Sequence, residues 1–428
     1  MRRSRFKLAH AALATLTVLG LGTGLASSAS AETFPVSNSQ LPLSPGCSFV
    51  DTTVPSEVLN HQLVPLPVGS FTAPPELTIH GRLCLPASGA AKTVMLALHG
   101  ITYTNQYWDS GYQPETYSFV RQMTAAGYGV FAIDRLGYGK SAHPSGALVT
   151  LDVQAEVAHQ VLQQLRAGEI GGSPFQHVIL VGHSYGTATS WLESSIYNDA
   201  DAVIGTGWGS SIQLDPLVRF FSGFARNPAM IDAKTASAVG LDPTYFTPPA
   251  GGRDQDFLYV LSNVDQGMID YDQNVLRDTV TLGEGSTFIN RYNKLSLGAI
   301  PSTGQELSLP LSTHTEQIRI PMFLVDGEKD LFFCGPGAAH CASSQALQKE
   351  EAQYFAPAAC IRAAVTPAAG HDLNLQRNAP DTYRTIRTWA DQAVGPDGSQ
   401  AAAYRSSCQA YSGTNGTSGP AVFGPLAA

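Results

Sequence analysis

The chain has 428 residues, 43% of them hydrophobic, and a formal net charge of −9. That is enough apolar side chain to bury a full core, and the length suits one large domain with an insertion, or two domains, so a disordered chain is excluded. The acidic balance offers no basic patch for nucleic acid and disfavours stable association with an anionic membrane, which points to a small-molecule or neutral partner.

The first residues read MRRSRFK, followed by an apolar stretch from Leu8 to Ala26 and by ASSASA ending at Ala31. A basic start, a hydrophobic middle and a small-residue cleavage site make residues 1–31 a removable secretion signal. His10, Thr15, Thr17 and several glycines interrupt the stretch, and its length is marginal for a membrane span, so an anchor is the weaker interpretation. Cleavage near Ala31 removes four positive charges and no negative ones, which moves the net charge from −9 to −13 and leaves a secreted, extracellular chain. Its six cysteines, Cys47, Cys84, Cys334, Cys341, Cys360 and Cys408, are then an even number in an oxidising compartment and argue for disulfides. Proximity favours Cys334 with Cys341, pairing of the first two strands favours Cys47 with Cys84, and Cys360 is left for Cys408. No C-x-x-C pair or His/Cys cluster with ligand spacing is present, so no metal is expected.

Residues 32 to about 68 are rich in proline and serine and are expected as an extended arm. ELTIHGRLCLP (Glu76 to Pro86) alternates like a strand, and TVMLALHG (Thr93 to Gly100) is a continuous apolar run suited to a strand buried on both faces. Tyr117 to Ala126 reads as a helix, and YGVFAIDRLGYGKS (Tyr128 to Ser141) brings the next strand. A helix over Asp152 to Leu165 and strands at His177 to Gly182 and Asp201 to Gly209 continue the alternation. Strands alternating with helices mean parallel crossovers, hence an α/β sheet covered on both faces. The alternation stops over 210–317, a length improbable for a bare loop, so this stretch is expected as a mainly helical cap inserted between core parts at 32–209 and 318–410. Strands resume in IRIPMFLVDGEKD (Ile318 to Asp330) and CIRAAVT (Cys360 to Thr366), with a last helix near Asp381 to Ala393. Residues 411–428 are Gly, Ser, Thr and Pro rich and are expected as a flexible tail, with a sequon at Asn415-Gly416-Thr417. There are no internal repeats.

VILVGHSYGTAT, Val178 to Thr189, places Ser184 between a strand and a helix with Gly182 and Gly186 on either side. In that context the serine sits on a tight elbow, its hydroxyl above the carboxyl edge of the sheet and the backbone N–H groups of the following helix aimed at developing negative charge. An alcohol needs a base, and the base an orienting acid. His371, in AAGHDLNL, follows the last strand at the same edge, whereas His183, His99 and His159 suit packing, a strand end and a helix middle. The acid is expected after the preceding strand, where VDGEKD offers Asp326, Glu328 and Asp330; Asp330 reaches furthest into the loop, and Asp215 in SSIQLDP is the fallback. Oxyanion donors are expected from the backbone N–H groups of Tyr185 and of Ile101, in the turn after TVMLAL.

LALHG with Trp108-Asp109, IDRLGYGKS, VGHSYG, VDGEKD and GHDLN, in the order Ser, Asp, His, resemble the α/β-hydrolase superfamily, in particular its secreted, lidded serine hydrolases. The resemblance covers about residues 75–209 and 318–395. It implies the α/β-hydrolase fold, a mostly parallel sheet with helices on both faces, and a triad of Ser184, Asp330 and His371 needing no cofactor. Relatives that cut carbon–halogen bonds or epoxides carry aspartate at the elbow, which Ser184 argues against. The expected substrate is a small to medium, fairly apolar carboxylic ester or lactone, taken under the cap. Thr102 is expected to line that pocket, and Phe220, Phe221, Phe224, Tyr245 and Phe246, with Phe257 and Tyr259, are expected either to line it or to form the cap's own core. Two other readings stand beside it. A serine exopeptidase or amidase of the same fold would anchor a substrate amine on Asp254, Asp256, Asp265, Asp270 or Asp272. A binding protein on a hydrolase scaffold would need no triad. The sequence leaves the oligomeric state open.

Overall fold

The computed structural model describes residues 43–61, 74–224, 227–251, 255–288, 294–299, 306–310 and 314–412. The expected secretion signal, Asp254, the sequon at Asn415 and the side chains of Phe224 and Asp256 lie outside these residues.

Thirteen strands run in chain order through the described residues: β1 Cys47–Pro55, β2 Glu76–Cys84, β3 Thr93–Leu98, β4 Gly129–Ile133, β5 His177–His183, β6 Ala202–Thr206, β7 Ser211–Gln213, β8 Tyr245–Phe246, β9 Val280–Thr281, β10 Lys294–Ala299, β11 Glu306–Pro310, β12 Met322–Gly327 and β13 Arg362–Thr366. Eight of them form one sheet in the order β1-β2-β4-β3-β5-β6-β12-β13. The pairs from β4 to β13 are parallel, and only β1 with β2 and β2 with β4 run antiparallel. The apolar runs explain the centre of this sheet, because successive side chains leave a strand on opposite faces. Val94, Leu96, Leu98, Val178 and Leu180 enter one core cluster, while Met95, Ala97, Ile179 and Val181 enter another on the other face. The helices Leu151–Ala167 and Tyr185–Ile196 cover the first face, and Phe119–Ala125 and Ala379–Ala393 cover the second. Burying each such aliphatic side chain contributes roughly 1.5–3 kcal/mol. Thr150 caps the first of these helices by accepting from the N–H of Val153 at 3.3 Å, and Gly168, with φ 80°, ends it.

Strand order reverses at β3: the chain goes from β3 outward to β4 on one side, then returns to β5 on the other. The loops after β3 and β5 therefore diverge and leave a crevice at the carboxyl edge, where open α/β sheets take their ligands.

Two stretches differ from the sequence expectation. Part of the supposed arm, Cys47–Pro55, is the edge strand β1, since its β-branched residues can pair all along β2. The stretch 210–317 has more helix than strand among its described residues, but to the helices expected there it adds five short strands. They form a three-stranded sheet, β11-β10-β7, and a two-stranded one, β8-β9. The alternating KLSLGA and ELSLP runs were the available signal. One carboxylate fastens this stretch to the core. Thr281 and Glu284 cap the helix Leu282–Phe288 reciprocally, the N–H of Glu284 donating to Thr281 Oγ1 at 3.0 Å and the N–H of Thr281 to Glu284 Oε2 at 3.3 Å. Glu284 Oε1 also accepts from Arg135 Nη1 at 2.5 Å and Gln154 Nε2 at 3.2 Å, and Tyr138 donates to the same carboxylate, all of it buried.

The three expected disulfides are present, Cys47–Cys84, Cys334–Cys341 and Cys360–Cys408. The last ties the start of β13 to a helix, Ala401–Ser412, for which the sequence analysis had no element; Tyr404 of this helix accepts from the Trp389 indole N–H at 3.1 Å. No helix among the described residues is long and apolar enough to cross a membrane.

Candidate active site

Ser184 sits between β5 and the helix Tyr185–Ile196 with φ 51° and ψ −121°, a backbone state that costs an L-residue about 1–3 kcal/mol. The neighbourhood over-determines it. The N–H of Ser184 donates to Thr206 O on β6 at 2.8 Å, and its carbonyl accepts from the N–H groups of Thr187 and Ala188. Both flanking glycines are required by close approach. A Cβ on Gly186 would lie 2.0 Å from Leu98 O, and one on Gly182 would lie 2.4 Å from the Thr187 backbone. The loop after β3 closes on the same spot, since a Cβ on Gly100 would lie 3.1 Å from Ser184 Cβ. Ile101 and Thr102, which follow Gly100, thus stand beside the elbow, while the N–H of Tyr185 opens the helix behind the serine. Thr102 has φ 63° and is pinned by exchange with the neighbouring segment: its N–H donates to Thr279 O at 2.9 Å, and its carbonyl accepts from the N–H of Asp278 at 2.8 Å. Below it, Arg135 Nε donates to His99 O at 2.8 Å, so the guanidinium that holds Glu284 also holds this loop. Burial, reinforced by that guanidinium, keeps the His99 imidazole well below its ordinary pKa and neutral.

Asp330 and His371 meet, as the sequence suggested, with His371 Nδ1 2.8 Å from Asp330 Oδ2. Both are buried. The other oxygen of Asp330 accepts from the N–H groups of Phe332 at 2.8 Å and Phe333 at 3.3 Å, and the Cys334 N–H donates back to Asp330 O, so the disulfide at Cys334 closes a loop already folded around the carboxylate. Burial alone would lower the His371 pKa; the charge and hydrogen bond of Asp330, helped by Asp372, outweigh it and raise the pKa above the ordinary value. The alternatives are occupied elsewhere. Asp326 accepts from the Trp208 N–H at 3.0 Å, and burial beside Asp330 and Glu351 pushes its carboxyl well up. Glu328 accepts from the Ala368 N–H and pairs with Lys329 at the surface. Asp215 is exposed on the helix Leu214–Phe224.

A second His–Asp pair was not foreseen as such. His183, which suited packing in the sequence, has Nε2 2.9 Å from Asp372 Oδ1, and Tyr103 donates to Asp372 Oδ2 at 2.6 Å. Tyr107 stacks on the His183 ring at 4.2 Å, and the His183 and His371 rings are 5.1 Å apart. Burial, only partly offset by Asp372, lowers the His183 pKa and keeps its ring neutral. The available signal was adjacency: His183 precedes Ser184, and Asp372 follows His371. Ligand-type atoms of His183, His371 and Asp372 lie within 4.8 Å of one another, but both rings are already paired with carboxylates, an arrangement suited to moving protons.

Among the expected pocket residues, Thr102 stands beside the elbow and Phe220 borders the His371 side. Its ring is 5.2 Å from that of Phe332, which is 4.9 Å from His371, and Phe257 packs on Phe332 at 5.6 Å. Phe221 contacts Phe220. Tyr245 is elsewhere: its hydroxyl donates to Pro144 O at 2.7 Å and its ring faces His143, because Gly137 and Gly146 leave room for it there. Phe246 pairs with Val280 in the two-stranded sheet. Tyr259 donates to Asp272.

A family model described as the alpha/beta hydrolase family matches residues 95–384. No curated protein matches the chain. Similar solved structures include a soluble variant of monoglyceride lipase from Saccharomyces cerevisiae, at 14% identity and TM-score 0.48, covering 77% of this chain and 95% of that one. A carboxylesterase structure from Nitrososphaera gargenis follows at 15% identity and TM-score 0.47, covering 75% and 97%. A bromoperoxidase from Bacillus anthracis follows at 18% and 0.46, covering 74% and 96%.

Proposed function

The chain belongs to the α/β hydrolase family, and from that premise we propose that it is a secreted serine esterase acting on a small to medium, fairly apolar ester or lactone through an acyl-enzyme. One observation carries this reading: a serine in a strained, glycine-flanked elbow at the same sheet edge as a buried His371–Asp330 pair. Ser184 Oγ attacks the substrate carbonyl and passes its proton to His371, whose Nδ1 is committed to Asp330 so that Nε2 does the exchange. The N–H groups of Ile101 and Tyr185 receive the oxyanion, a contribution whose loss typically costs on the order of a hundredfold or more in rate. The imidazolium then protonates the departing alcohol, leaving the acyl group on Ser184. Water attacks that ester, its proton goes to His371 and on to Ser184 Oγ, and the carboxylic acid leaves.

The aromatic group Phe220, Phe257 and Phe332 beside His371 supports an apolar acyl or alcohol part. An exopeptidase needs an acidic anchor for a free amine, and the described candidates are engaged. Asp265 pairs with Arg377 at 2.6 Å and accepts from Tyr117, Asp270 accepts from Gln266, and Asp272 accepts from Tyr259. Export is supported by the N-terminal signal pattern and by three disulfides. Turnover of p-nitrophenyl esters against aminoacyl p-nitroanilides tests the reading. Ester cleavage with little anilide cleavage is expected; the reverse preference, or failure of a fluorophosphonate probe to label the protein, rejects it.

A further inference from the structure

We infer that His159, Glu193 and Asp199 form a binding site for a divalent cation of the zinc class, separate from the serine elbow. His159 comes from the helix Leu151–Ala167 and Glu193 from the last turn of the helix Tyr185–Ile196; Asp199 lies in the loop beyond, after the chain turns at Asn198 with φ 52°. His159 Nδ1 is 3.0 Å from Asp199 Oδ2 and 3.8 Å from Glu193 Oε1, and the three ligand-type atoms lie within 4.8 Å of one another. Ligands held about 2.0–2.2 Å from a tetrahedral zinc are about 3.3–3.6 Å apart, so the separations of 3.0 and 3.8 Å need only small adjustment.

The second observation is a set of orphaned atoms. Glu193 has a side chain 0% exposed; its Oε2 accepts from Ser194 Oγ at 3.0 Å, but its Oε1, facing His159, is buried with no hydrogen-bond partner. Asp199 Oδ1 is likewise buried without one, while Asp199 Oδ2 meets His159 Nδ1 at 3.0 Å and accepts from Gln163 Nε2. Two carboxylates that converge on an imidazole nitrogen, one of them fully buried, require positive charge between them. A neutral imidazole and two carboxylates match a doubly charged cation, and nitrogen with oxygen is a zinc-compatible donor set. The Tyr197 ring stacks on His159 at 3.7 Å and fixes its orientation. His159 and Asp199 are 18% and 23% exposed, which gives an ion a route in and leaves a coordination position for water. The competing source of positive charge is a proton: the carboxylates of Glu193 and Asp199, against burial, raise the His159 pKa above its ordinary value, and burial, with Asp199 beside it, pushes the Glu193 carboxyl up to about 8.

Full-length protein stripped with a chelator and dialysed should take up one equivalent of Zn²⁺ in calorimetry and melt at a higher temperature with the ion than without. Asp199→Asn and His159→Gln, each checked for folding by circular dichroism, should weaken uptake by about 10-fold or more. Absence of stoichiometric uptake by the folded wild-type protein overturns the site in favour of a shared proton. Unchanged uptake by both variants overturns it as well, by placing the ion elsewhere.

Discussion

Asp372 joins the two segments that matter most: it directly follows His371, and its carboxylate lies 2.9 Å from Nε2 of His183, which directly precedes Ser184. Tyr103, from the loop after β3, donates to the other oxygen at 2.6 Å. The ends of three separate strands are thus held together by one buried carboxylate, and a shift of the serine against the imidazole requires this junction to break. Positioning of this kind is worth rate because small misplacement of reacting groups is costly.

Asp372→Ala is therefore expected to lower kcat by about 10- to 100-fold with KM little changed. Asp372→Asn, whose amide oxygen can still accept from Tyr103 while its NH2 group can donate to His183 Nε2 in the other tautomer, should recover part of the loss. Steady-state kinetics on both variants decide the matter; a drop in melting temperature with unaltered kcat would reduce the junction to packing.

Ser184→Ala should abolish fluorophosphonate labelling and reduce ester turnover by about 1,000-fold or more while leaving the circular dichroism spectrum unchanged. The strained φ of 51° at this position should make the substitution neutral or mildly stabilising only if alanine tolerates the same backbone state, which a thermal melt reports. Undiminished turnover removes Ser184 from the reaction.

The pH dependence follows from the His371–Asp330 pair. Its folded pKa is raised above the usual imidazole value by Asp330, against burial. The stabilisation from the protonated pair is fully present below the unfolded imidazole pKa and is lost as pH rises through the raised folded value. Catalysis needs the neutral ring, so kcat/KM should climb through that same interval, above about pH 6.5. Asp330→Asn should lower the apparent pKa and cut kcat by about 1,000- to 10,000-fold. A profile flat from about pH 5 to 8 is incompatible with an imidazole base.

Glu284→Ala leaves the Arg135 guanidinium, itself buried, without its carboxylate. Breaking a buried pair from one side costs about 3–5 kcal/mol. Because Arg135 also holds His99 O, the loop bearing Ile101 should loosen and turnover should fall with stability. Denaturant unfolding measures the first effect, and a midpoint equal to that of the wild type would show that the stretch 210–317 is held in some other way.

Much of this was legible in the chain. The apolar runs of β3, β5 and β12 identified buried parallel strands because a strand covered on both faces has no polar side to show, and Gly-x-Ser-x-Gly after such a run marked the elbow because only glycine fits where Leu98 O and the Thr187 backbone come so close. Asp330 and His371 were readable for the same reason: each follows a strand whose direction is fixed by its neighbours. Local sequence did not determine the small sheets within 210–317, whose short strands find partners only in the folded chain, as Ser211 finds Lys294. Nor did it reveal what joins across distance. The Asp372–His183 junction, the Glu284–Arg135 fastening and the convergence of His159, Glu193 and Asp199 each bring together residues from different elements. Side-chain pairing of that kind depends on burial and on the approach of whole helices and loops, which no short spacing encodes.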